Sequence, residues 1–92
     1  MSLPGKKIVN QGLEDTSKKE LTIHSLLLQS AITRLLSVGV IVEKLQLLEP
    51  ASILLFRKLK ESEGNGAHSK YNALNRELLS FIKAKENERR AN

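Results

Sequence analysis

Between Leu21 and Leu45, seven apolar residues stand at steps of 7, 3, 4, 3, 4 and 3: Leu21, Leu28, Ala31, Leu35, Val38, Val42 and Leu45. Steps of three and four place side chains on one face of an α-helix, and this pattern is an a/d seam. Thr22, Ser25, Gln29, Thr33, Ser37 and Lys44 form a polar stripe through the same stretch. Two stripes of opposite character favour helix over strand. The pattern predicts one long first helix over 18–48, about 45 Å long at the α-helical rise per residue. Its start is marked by Ser17-Lys18-Lys19-Glu20, which has capping-box spacing and directly precedes the apolar run.

A rival reading attaches to residues 38–48, where Gly39 and the β-branched Val38, Val40, Ile41 and Val42 lower helix propensity and raise strand propensity. It makes the chain α+β, with a hairpin at about 40–59. Pro50 cannot sit inside a helix but suits a first turn, so the first helix stops there and a second runs over 50–62. The stretch from Glu63 to His68, with Gly64 and Gly66, reads as the main loop. Ser69 then caps a third helix to 89, in which Tyr71, Leu74, Leu78 and Ile82 recur at helical steps. The expected fold is mainly α, a three-helix bundle with one long first helix. Residues 1–16 mix Pro, Gly and charge without a period and read as a flexible basic arm. Residues 17–89 form a single helical domain and 90–92 a frayed tail.

A chain of 92 residues holds one small domain. Apolar residues make up 40% and charged residues 27%, a balance that buries a core and argues against global disorder. With no Cys there is no disulfide framework, Cys-ligated zinc or thiol nucleophile. No apolar run reaches the roughly 18 residues that a membrane span needs. The N-terminal stretch lacks the apolar core of a secretory signal, and Ser2 replaces the glycine of a myristoylation site. An intracellular protein, cytoplasmic or nuclear, is expected.

Catalysis has little material. His24 and His68 are the only imidazoles. Glu20 lies four residues before His24, but two ligands do not make a metal site. The serines lack a base of defined geometry, and no GxSxG motif occurs. Gly64-Asn65-Gly66 is not a phosphate loop, because GxxxxGK[ST] and its preceding strand are missing. No enzyme activity, catalytic residue, metal or cofactor is expected.

Beside its seam, the first helix carries Leu26, Leu27, Ile32, Leu36, Val40, Ile41, Leu47 and Leu48. More than one face therefore wants cover, and an apolar strip left open marks a protein contact. The expected function is a non-catalytic helical module for protein–protein interaction or assembly, self-associating through the first helix. Leu28, Leu35, Val38, Val42 and Leu45 are its candidate interface, and the partner is a second copy or another helical protein.

The alternative is a small basic protein that binds DNA or RNA through phosphates without marked sequence specificity. A net charge of +5 motivates it, with Lys6, Lys7, Arg34, Arg57, Lys58 and Lys60 as candidate phosphate contacts. Arg34 stands inside the most apolar stretch. The segment SAITRLLSVGVIVEKL, residues 30–45, resembles the core helix of Alba nucleic-acid-binding proteins, and Gly5-Lys6-Lys7 looks like that family's basic arm. The likeness covers under a quarter of the chain. It departs from the family where Leu27-Leu28-Gln29 replaces the glycine turn, and it leaves no room between Lys7 and Leu21 for a first helix. The resemblance implies nucleic-acid contacts at Lys6, Lys7 and Arg34, and largely strand over 38–59.

Overall fold

The computed structural model describes residues 3–90. They form α1 (Lys6–Ser17), α2 (Ile23–Ser30), α3 (Ile32–Ser37), α4 (Ala51–Glu63) and α5 (Ala67–Arg90), with a 3₁₀ turn at Gly64–Gly66 joining the last two. The chain is mainly helical, and no strand occurs among the described residues. The hairpin at 40–59 and the strands implied by the Alba resemblance are therefore not formed. α2 and α3 abut at Ala31 and act as one bent stretch, which makes four helical segments.

Helix α1 occupies the stretch expected to be a flexible arm. Its docking face combines a few apolar residues, Ile8, Val9 and Leu13, with small ones that carry no apolar signal. Val9, Gly12 and Thr16 are buried at helical spacing, with Gly5 as N-cap. A Cβ at Gly12 would stand 2.6 Å from Leu28 Cγ and 2.8 Å from the His24 carbonyl oxygen on α2. A Cβ at Gly5 would stand 2.6 Å from the Glu77 carbonyl oxygen on α5, and its φ of +76° suits glycine. Missing side chains thus let α1 lie directly against two other helices.

The residues expected to open the long helix instead close α1. The Lys19 N–H bonds to the Thr16 carbonyl at 2.9 Å and the Glu20 N–H to the Asp15 carbonyl at 2.9 Å. Lys19 sits at φ +58°. This is a Schellman end, with lysine in the left-handed position that glycine usually takes. The capping box lies five residues further on. Thr22 Oγ1 accepts from the Ser25 N–H at 3.1 Å, and Ser25 Oγ accepts from the Thr22 N–H at 2.8 Å.

The long first helix also ends early. Gly39, at φ +85°, closes α3 with the same motif: its N–H reaches the Leu36 carbonyl at 3.0 Å, and the Val40 N–H reaches Leu35 at 2.9 Å. The β-branched residues that follow do not favour restarting the helix. Val40–Leu47 takes no regular secondary structure. The Gln29 amide holds this segment, with Nε2 donating to the Glu43 carbonyl at 2.6 Å and Oε1 accepting from the Leu45 N–H at 3.0 Å.

Beyond the segment, expectation and structure agree closely. Pro50 stands at the N-cap of α4, which runs to Glu63. α5 starts at Ala67, two residues before the expected Ser69 cap, and continues helical to Arg90. Of the expected tail 90–92, Arg90 ends α5 and residues 91–92 lie outside the described residues. The core joins Val9 of α1, Leu26, Leu27 and Leu28 of α2, Leu35 of α3, Leu55 and Leu59 of α4, and Leu74, Leu78, Phe81 and Ile82 of α5. α2 packs against both α1 and α4, and α4 against α5. Among the described residues, no helix is long and apolar enough to cross a membrane.

Candidate interaction surface

The residues expected to face a partner are spent on the chain's own core. Leu28 and Leu35 are fully buried, and Val38 and Val42 nearly so. Only Leu45 is half-buried. The seam was correctly apolar, but the break at Gly39 folds its second half back onto the first. A partner cannot reach these side chains without opening the fold.

The candidate phosphate contacts are scattered. Lys6 and Lys7 stand on α1, Arg34 on α3, and Lys60 on α4, all exposed. Lys58 is half-buried. Arg57 is engaged: Nη1 donates to Glu49 Oε2 at 2.6 Å and Nη2 to Oε1 at 3.0 Å. These hydrogen bonds, then the attraction of opposite charges, hold the Glu49 carboxyl below its ordinary range and raise the Arg57 guanidinium. The densest basic cluster in the sequence has lost one of its three charges to this pair.

What remains open is apolar. Leu48 is fully exposed at 103%, Ile41 at 79% and Leu36 at 59%. These three follow one another along α3 and the irregular segment. Ile53 of α4 and Leu79 of α5 are exposed as well.

A groove of about 490 Å³ lies between α4 and α5, lined by Ser52, Ile53, Phe56, His68, Tyr71 and Asn72. The Phe56 ring stands 4.8 Å from that of His68, tilted by 55°, and 5.8 Å from Tyr71 in an edge-to-face arrangement at 81°. Both distances fall in the range of favourable aromatic pairs. The Gly64–Gly66 turn sets α5 beside α4 so that these rings meet. The sequence expectations assign no role to Ile53 or Phe56. The missed signal is that Ile53 and Phe56 stand three apart on a flank offset from the buried Leu55 and Leu59.

The polar groups elsewhere are structural. Asp15 Oδ2 accepts from Thr22 Oγ1 at 2.6 Å and Oδ1 from Gln11 Nε2 at 3.0 Å. The Thr22 bond chiefly lowers the Asp15 pKa, against the opposing effect of burial. Ser25, fully buried, donates to the Glu20 carbonyl at 2.7 Å. This network ties the end of α1 to the start of α2. His24 lies on α2 and His68 on α5. Among the described residues, no three His, Asp or Glu side chains gather where they could hold a metal ion. Compared with known proteins, the chain matches no family model, no curated protein and no solved structure.

Proposed function

We propose that this chain is a non-catalytic helical module for protein–protein interaction, assembling through apolar residues that its own fold leaves uncovered. The observation that carries the reading is the run of Leu36, Ile41 and Leu48, three large apolar side chains exposed along one connected stretch. Water contact at such residues is unfavourable, and covering each on association returns about 1.5–3 kcal/mol before the costs of binding. The neighbouring backbone supports it too. Of Ile41–Leu48, only Glu43 and Leu45 have main-chain hydrogen bonds among the described residues, and both go to Gln29. The segment therefore offers a partner both side chains and unpaired backbone groups.

Sedimentation velocity over a wide concentration range tests the proposal. The wild type should gain mass with concentration, and Ile41→Glu with Leu48→Glu should stay monomeric while keeping the same far-ultraviolet circular dichroism. A wild type that remains monomeric throughout overturns the self-assembly reading.

Phosphate binding remains the second reading, supported by net charge and by exposed Lys6, Lys7, Arg34 and Lys60. Their spread over three helices favours weak, salt-sensitive contact.

A further inference from the structure

We propose that the groove between α4 and α5 receives an acidic amphipathic helix from a partner protein. The inference rests on the interaction-module reading and names the occupant of a second surface, separate from the stretch around Ile41 and Leu48. The floor is apolar and aromatic: Ile53 and Phe56 on α4 face Tyr71 on α5. Leu79, two turns beyond Asn72, extends the apolar line along α5 and is 38% exposed. Two adjacent helices present a valley between their ridges, and a third helix fits such a valley with apolar residues at three- and four-residue steps.

Charge selects among such helices. Lys60 stands one turn beyond Phe56 on α4. On α5, Arg76 stands one turn beyond Asn72, and Lys83 two turns further. All three are exposed, and none has an ion-pair partner among the described residues. Against them, Glu63 stands one turn beyond Lys60 on α4 and Glu86 one turn beyond Lys83 on α5, both exposed. Three basic side chains against two acidic ones leave the flanks of the groove net positive. The whole chain, at +5, attracts an acidic segment.

The chain supplies its own reporter, because Tyr71 is the only tyrosine and there is no tryptophan. The probe is a synthetic amphipathic peptide of about 20 residues, long enough to span the groove as a helix, with leucines on one face, glutamates on its flanks, and no tyrosine or tryptophan. The control is the same peptide with every glutamate replaced by lysine. Binding is read from Tyr71 emission and from amide shift changes at residues 52–56 and 68–72.

The acidic peptide should bind and the basic one should not. Ile53→Glu should weaken binding by about tenfold or more, and Lys60→Glu with Arg76→Glu should weaken it and flatten its salt dependence. Circular dichroism checks each variant, and Ile53→Ala serves if Ile53→Glu does not fold. Equal binding of both peptides, no binding of either, or binding unchanged in the Ile53 variants overturns the inference. So does duplex DNA that shifts the same amides in the Ile53 variants as in the wild type. If the acidic peptide fails while the wild type still self-assembles through Ile41 and Leu48, only the groove assignment falls. If both fail, the interaction-module reading falls with it.

Discussion

Gly12→Ala adds one methyl group at the place where α1 meets α2, and geometry decides its sign. In an open helix this change is stabilising by up to about 1 kcal/mol, because alanine loses less backbone freedom than glycine. At Gly12 the new carbon would sit 2.6 Å from both Cγ and Cδ1 of Leu28 and 2.8 Å from the His24 carbonyl oxygen. Carbon atoms prefer about 3.5–4.0 Å, so α1 must retreat by roughly 1 Å. Leu28 is completely buried, and the His24 carbonyl belongs to the α2 backbone. Overpacking of this kind costs about 1–3 kcal/mol, which exceeds the propensity gain. A net loss of about 1–2 kcal/mol should lower the melting temperature by roughly 4–16 °C for a domain of this size. Gly66→Ala is the matched control, since a Cβ there meets only Glu63 Cβ at 3.9 Å, and it should be neutral or stabilising. Thermal and urea melts followed by helical circular dichroism measure both. A Gly12→Ala protein as stable as the wild type would refute the docking of α1 on α2.

Three further outcomes follow from local geometry. Lys19→Gly relieves a left-handed residue and should stabilise the chain by about 1 kcal/mol; a drop in the urea midpoint would contradict the Schellman end of α1. Asp15 has a folded pKa below its ordinary value, so its contribution is present above the unfolded pKa, near 4, and is lost as pH falls through the folded value. Melts between pH 6 and 2 should therefore show a smaller acid loss in Asp15→Asn than in wild type, with a residual slope from Glu49. Gln29→Ala removes both hydrogen bonds to the irregular segment and should cost about 1–3 kcal/mol. The Leu45 amide should then exchange with solvent much faster, and unchanged protection would show that Gln29 does not hold it.

Much of the fold could be read from residue patterns wherever a local signal had no competitor. Pro50 and the glycines around Asn65 placed α4 and α5 to within a residue or two, because proline and glycine act on their own backbone. The seam from Leu28 to Val42 was correctly read as apolar, and those residues are core. The error lay in continuity, since helical spacing persists through Gly39 while the backbone does not. α1 was hard to read by periodicity because its apolar residues are few, Ile8, Val9 and Leu13, and Gly5 and Gly12 complete the docking face by leaving atoms out. Ser17 to Glu20 fits a helix start in spacing, but Lys19 at positive φ makes it an end. The Gln29 clasp joins residues 14 and 16 positions apart and carries no local pattern. The exposed apolar stretch became visible only once the core had claimed its share.

Packing of neighbours along the chain bears on how fast this molecule forms. α1 meets α2 across a turn of a few residues, and α4 meets α5 across Gly64–Gly66, so each pair closes between residues near one another in sequence. The α2–α4 contact must instead wait for the longer stretch between α3 and α4 to bring its ends together. Short loops lose little entropy on closure, and helical chains with low contact order fold on the order of microseconds to milliseconds. Because that entropy grows with the logarithm of loop length, an insertion of given size should cost less in the 40–48 connection than in the short turn between α1 and α2.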